Sequence, residues 1–322
     1  MTTAMIRALR HRFPSATIDM IVREDFLDLI RENPHLTHAI GLRRSDGLRG
    51  VVQLVRTINR SNYDVIYDAH RSLRTLVMMP LLRARLKFYY RKQYVRRNLS
   101  LIFKIPLWGK PKRFLEKFIE PLAPLGVAYD HRGPELFLPN HFASPMPPGF
   151  GPSVVGLIPS AQWPGKRWPE DRFRQLLIKL MAETDSQFIV FGGHGDHFCR
   201  SIVKDLSADR VFNAQGKWNL MQSGKALSEC QYVIANDTGL MHMADALGIP
   251  SVLIFGPTSA DLGCKPFDPR SQIVEKALWC RPCSKNGQAL CIRAKRYCLL
   301  NIMPDDVLLA CRKVQSALAA GP

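Results

Sequence analysis

YVIANDTGLMHMADALGIPSVLIFGPT, residues Tyr232 to Thr258, is the stretch from which the rest of the chain is read. Tyr232, Val233 and Ile234 form a β-prone run. Leu240, Met243, Ala244 and Leu247 then recur at i, i+3, i+4 and i+7, the spacing of a buried helix face. Gly248 and Pro250 end that helix, and Ser251 to Phe255 is a second apolar strand closing at Gly256, Pro257 and Thr258. Asp237 and Thr238 are expected to cap the helix, and Gly239 permits close approach. Its free N–H groups and the positive end of its dipole suit an anionic ligand. His242 lies one turn beyond Thr238 and faces the same way. Both polar turns follow the carboxyl ends of strands, where open α/β sheets bind ligands. The plainer reading is an ordinary capped helix with a satisfied histidine.

Upstream, the strand Val154 to Ile158 is predicted to run directly into Pro159 to Pro169, a loop with two Trp, three Pro and the pair Lys166 and Arg167. Its cations could reach a phosphate; otherwise it is a surface loop stapled by Trp packing. A helix from Glu170 to Met181 and a strand from Phe188 to Phe191 follow. The turn Gly192-Gly193-His194-Gly195-Asp196 lacks the full dinucleotide fingerprint, and Asp196 could bond a ribose or cap the next helix.

The N-terminal half shows the same alternation: a helix over Met1 to Arg12, strands at Ile18–Val22, Thr37–Gly41 and Val65–Tyr67, and helices at Glu24–Ile30 and Gly50–Ile58. This spacing predicts a doubly wound parallel sheet. Such a domain normally begins with a strand, so a first strand is expected ahead of Met1. Phe137 to Ser153 is rich in Pro and Gly with no Asp, Glu, Lys or Arg, and reads as a linker. The expected division is an N-terminal domain over 1–140, a linker over 141–153 and a C-terminal domain over 154–322.

With 45 Lys and Arg against 27 Asp and Glu in 322 residues, the formal charge is +18, which implies acidic partners. From Arg83 to Lys117 there are twelve Lys or Arg and one acidic residue, interleaved with Phe88, Tyr89, Tyr90, Tyr94, Phe103 and Trp108. No nucleic-acid motif accompanies them, so specific nucleic-acid binding is not expected. An anionic lipid or sugar-phosphate partner fits better. No apolar run is long enough to span a bilayer and the first residues have no signal-peptide core, so the expected compartment is the cytoplasm. Cys280, Cys283, Cys291 and Cys298 form CxxC plus two further cysteines, a set compatible with structural zinc. A final helix is predicted from Pro304 to Leu318.

NDTGLMHMADALGIPSVLIFGPT, PSAQWPGKRWPEDRF, FGGHGD and CRPCSKNGQALC followed by IMPDDV together resemble the ADP-heptose:lipopolysaccharide heptosyltransferases, glycosyltransferase family 9. RALRHRFPSATIDMIV and YDVIYDAHRSLR match more loosely. The resemblance implies two Rossmann-like domains facing across a cleft, the glycosyltransferase B type. The donor would sit on the C-terminal domain and the lipid A and inner-core acceptor on the N-terminal one. It implies inverting transfer of heptose from ADP-heptose, with no metal cofactor for catalysis, at the inner face of the inner membrane. By position, Lys166 would neutralise the donor diphosphate, Thr238 and Gly239 would hold it, Asp237 and His242 would contact the heptose or its phosphate, and Asp196 would lie near the nucleoside. The family's base is an Asp in a turn after the first strand. No residue here matches it, so the catalytic residue is expected before Met1. A non-catalytic nucleotide-sugar or lipopolysaccharide binder is the competing class.

Overall fold

The computed structural model describes residues 1–43, 45, 47–92, 98, 99, 101, 103, 112–139, 142–284 and 286–321, without the side chains of Leu48 and Asp261. Tyr94, Trp108 and the start of the expected linker lie outside the described residues. The chain divides into two compact units, one taking Met1–Gln93 and Arg113–Phe137, the other including Leu138–Pro322.

In the first unit the helix Thr3–Arg12 leads to β1 (Asp19–Arg23) and β2 (His38–Leu42), and the helix Gly47–Arg60 to β3 (Val65–Asp68). The helix Leu73–Leu81, β4 (Leu86–Tyr89) and the helix Phe114–Ile119 follow. The strands are parallel, as the alternation predicts, but they form two separate pairs, β1 with β2 and β3 with β4, rather than one sheet. Both pairs contribute to shared cores. Met20 and Tyr67 pack with Met5, Ile6, Phe118 and Leu122, while Ile40 and Ile66 pack with Val51, Val55 and Met78. Buried Arg7 ties the first helix to the segment leaving the unit. Its Nε lies 2.7 Å from Asp130 Oδ2 and its Nη1 2.6 Å from Glu135 Oε2. Burial works to raise the Asp130 carboxyl, but the hydrogen bonds from Arg7 outweigh it and hold the group below the usual carboxylate range.

The second unit is built on β5 (Val154–Ile158), β6 (Gln187–Val190), β7 (Val211–Asn213), β8 (Tyr232–Asn236), β9 (Ser251–Ile254) and β10 (Gln272–Val274). All pair in parallel in the order β7-β6-β5-β8-β9-β10. Numbered within the unit this is 3-2-1-4-5-6, the doubly wound Rossmann order. Every residue of β5, β8 and β9 is buried, as strands covered on both faces must be. Successive side chains alternate between two cores. Val155, Leu157, Ile234 and Ile254 meet Phe173, Leu176, Val307 and Cys311 from the helices Glu170–Glu183 and Pro304–Ala319. Val154, Ile158, Val233 and Leu253 meet Ala226, Leu227, Met241 and Ala244 from the helices Leu220–Ser228 and Gly239–Ala246.

The strand order reverses between β5 and β8, whose register pairs Val155 with Tyr232 and Ile158 with Ala235. The chain therefore leaves both strands side by side, at Pro159 and Asp237. Among the described residues no helix is long and apolar enough to cross a membrane.

Candidate functional site

The two loops that leave this switch point are fastened to each other by Asn236, the last residue of β8. Its Nδ2 donates to Pro159 O at 2.7 Å and its Oδ1 accepts from Trp168 N at 3.1 Å, so one fully buried amide grips both ends of the loop after β5. Trp168 is itself buried, donates from Nε1 to Ile302 O at 3.0 Å and meets Phe173 edge-on. Trp packing does staple this loop, and it leaves Lys166 directed at the neighbouring turn.

Lys166 Nζ lies 2.6 Å from Asp237 Oδ2. The same carboxylate oxygen accepts from Thr258 Oγ1 at 3.1 Å, and His242 Nε2 stands 3.9 Å from Asp237 Oδ1. Burial pushes the His242 imidazole down to about 4, against the upward pull of Asp237, so the ring is neutral near pH 7. Thr238 occupies the N-cap position of the helix Gly239–Ala246 with extended backbone, but its hydroxyl makes no capping hydrogen bond. The expectation that Asp237 and Thr238 cap the helix is therefore corrected. The Asp237 carboxylate is taken by Lys166 and Thr258, and the first N–H groups of the helix have no side-chain cap. A helix start of this kind suits an anion.

The turn after β6 holds Asp196 close by. Its Oδ2 accepts from Gly193 N at 2.9 Å, and its Oδ1 lies 3.1 Å from Arg167 Nη2, whose guanidinium also covers the Phe198 ring. Lys166, Asp237, Thr238, Gly239 and His242 are thus brought together. Asp196 is joined to them through Arg167, the residue beside Lys166.

The four cysteines expected to hold zinc form no metal-binding group among the described residues. Cys283 Sγ faces Pro257 O at 3.8 Å and Cys291 Sγ faces Lys295 O at 3.7 Å, while Cys280 and Cys298 are buried. The segment is used for backing instead. Arg281, its side chain 6% exposed, donates to Gly256 O at 2.5 Å and to Thr258 O at 2.7 Å, fixing the turn that presents Thr258 to Asp237. A Cβ on Gly165 would stand 2.5 Å from Gly287 O, so this segment lies directly on the loop that carries Lys166. Gly287 holds φ +81°, a conformation natural to glycine.

Asn236, Arg281 and the Gly165–Gly287 contact are positioning features that sequence reasoning did not single out, and Thr258 was read there only as part of a polar turn. Among the former, only Asn236 had a local signal, a polar residue closing an apolar strand.

A doubly wound sheet whose switch point carries a cation, a carboxylate and an uncapped helix start defines the class to which this unit belongs: an α/β domain with an anion-receptive crevice. Residues 51–292 match glycosyltransferase family 9 (heptosyltransferase), and the chain belongs to that family of enzymes. It is similar to lipopolysaccharide heptosyltransferase 2 of Salmonella typhimurium, with 23% identity over 96% of this chain and 92% of the relative. Among solved structures it resembles a family 9 glycosyl transferase from Veillonella parvula, at 20% identity, TM-score 0.78, over 98% of this chain and 93% of that one. It also resembles E. coli ADP-heptose LPS heptosyltransferase II, at 20% identity, TM-score 0.73, over 99% and 95% of the two chains. These likenesses show the glycosyltransferase B fold.

Proposed function

We propose that this glycosyltransferase moves heptose from ADP-heptose to the inner core of lipopolysaccharide, with inversion at the anomeric carbon. The observation that carries the reading is the Lys166–Asp237 pair beside the uncapped start of the helix Gly239–Ala246, at the switch point of a family 9 fold. The donor's diphosphate would take the Lys166 ammonium and the N–H groups from Gly239 onward, while Asp237 and His242 face the heptose or its phosphate. Asp196 lies on the nucleoside side.

In the transfer, an acceptor hydroxyl forms a bond to the anomeric carbon as the bond from that carbon to the diphosphate oxygen breaks. The electron pair and negative charge pass to departing ADP. A cation and a helix start fixed before the reaction stabilise that charge without reorganising. The hydroxyl proton needs a base, to which we assign no residue of this chain. The name of the E. coli relative, an ADP-heptose LPS heptosyltransferase, supports the donor. The acceptor is amphiphilic and anionic, so the enzyme would work in the cytoplasm, peripheral to the membrane.

Incubating the protein with ADP-heptose and a heptose-deficient lipopolysaccharide tests the reading. Product carrying one more heptose, with stoichiometric ADP, supports it; donor binding without transfer would sink it in favour of a non-catalytic binder.

A further inference from the structure

The helix Leu73–Leu81 of the first unit, LRTLVMMPL, is apolar on every side except at Arg74 and Thr75. One side is accounted for: Met78 and Met79, with Leu82 just beyond, are buried against Val51, Leu54, Val55 and Ile58. The other is not. Leu73 is 86% exposed, Leu76 56%, Val77 58% and Leu81 53%, and Pro80 is exposed with them. These five stand at i, i+3, i+4, i+7 and i+8, so they form one stripe along the outside of the helix. A lone exposed leucine needs no explanation, but a continuous stripe rimmed by polar groups marks an interaction surface.

The charge around the stripe says what it meets. From Ala69 to Leu115 the sequence has thirteen Lys or Arg and no Asp or Glu. Arg71, Arg83, Arg85 and Arg91 are exposed on the segments that flank the helix. Two lysines bind these cationic segments to it: Lys87 Nζ donates to Met79 O at 2.9 Å and Lys92 Nζ to Arg71 O at 2.9 Å. Leu86 and Tyr89 of β4 add exposed apolar groups beside them. An apolar stripe between exposed guanidinium groups is the pattern of a helix lying in a bilayer interface, with side chains among the acyl chains and cations at lipid phosphates. A second copy of this chain would bring like charges together across the stripe, which opposes self-association.

We infer that the face Leu73, Leu76, Val77, Pro80 and Leu81, with Arg71, Arg83 and Arg85 at its rim, docks the enzyme on an anionic lipid bilayer. The inference deepens the proposed function by giving that function its membrane contact, and it rests on that reading only for its purpose.

The test uses the full chain with vesicles of phosphatidylcholine, alone or mixed with phosphatidylglycerol, and follows flotation. The wild type floats with the mixed vesicles and not with pure phosphatidylcholine, less so at high salt. The variant Leu73→Ser/Leu76→Ser/Val77→Ser loses affinity by roughly tenfold or more, with unchanged circular dichroism and ADP affinity. Arg83→Glu/Arg85→Glu, which leaves the stripe intact, loses the preference for anionic lipid. Equal flotation of the serine variant, or equal binding to both vesicle types, overturns the inference. So does a wild-type dimer in sedimentation velocity that the serine variant abolishes while vesicle binding persists. Transfer to a deacylated, soluble acceptor separates the two claims. The serine variant keeps that activity and loses transfer to acceptor in vesicles. Wild type that floats but transfers to neither acceptor contradicts the proposed function and not the docking face.

Discussion

Lys166 and Asp237 form a salt bridge of 2.6 Å between loops that leave adjacent strands, β5 and β8, at the point where the sheet order reverses. Asp237 thus holds the cation in place and also competes for it with any anion that arrives. Removing the carboxylate charge while keeping its shape, Asp237→Asn, is expected to tighten ADP binding by a few-fold, because repulsion and competition both fall, roughly 1 kcal/mol in all. Heptose transfer falls in the same variant. Calorimetric titration with ADP, alongside a turnover assay, checks both; weaker ADP binding would show that Asp237 holds the nucleotide rather than Lys166.

Asn236 is the buried link between the two loops. Asn236→Ala leaves Pro159 O and Trp168 N without their partners. Two buried groups left unsatisfied cost about 2 to 4 kcal/mol. Urea denaturation of the second unit's transition should show that loss, and ADP affinity should drop with it. Asn236→Asp is expected to be at least as damaging, since a carboxylate cannot donate to Pro159 O.

His242 gives the site a pH signature. Its folded-state value of about 4 lies below the ordinary 6.5, so between these values the unfolded chain takes up a proton that the folded chain refuses. The stabilisation is fully present above pH 6.5 and is lost progressively as pH falls towards 4. Chemical denaturation of wild type and His242→Gln across that range should show the stability gap shifting in favour of the variant at the acid end. A gap independent of pH would mean the ring titrates normally.

Gly165 has no room for a side chain. Gly165→Ala sets a methyl 2.5 Å from Gly287 O, so one backbone must move, at about 1 to 3 kcal/mol. Because the next residue is Lys166, ADP affinity should fall as well as the melting temperature. An alanine variant with native stability and native affinity would show that the cysteine-rich segment does not back the loop.

The parts legible in sequence were continuous apolar strands and helices whose burial repeats with a strong period. β5 spans the predicted Val154–Ile158, and the last helix runs Pro304–Ala319 where Pro304 to Leu318 was expected, because its pattern and its acidic first turn agree. β7 and β10 are three residues each, too short for a period to register, and the helix Leu220–Ser228 went unread. The helix Leu73–Leu81 was missed for a different reason: it is apolar on both faces, so it has no amphipathic contrast. Within the site, residue types at the strand ends were readable, whereas their partners were not. Thr258 reaches Asp237 from the turn after β9, Arg281 fixes that turn from a later loop, and the Gly165–Gly287 contact joins positions far apart in sequence. The cysteine spacing suggested a metal, but the four cysteines form no metal-binding group among the described residues, where Cys291 and Cys283 face backbone carbonyls.

Lys166 is the cation on which donor binding in the proposed transfer depends most. Titrating ADP into wild type and Lys166→Met, with the melting temperature of each as a control, measures the dependence. The variant is expected to stay folded and to bind ADP about 10 to 100-fold more weakly, the loss of one charge-assisted contact to a phosphate. Unchanged ADP affinity in a folded Lys166→Met protein would contradict that dependence.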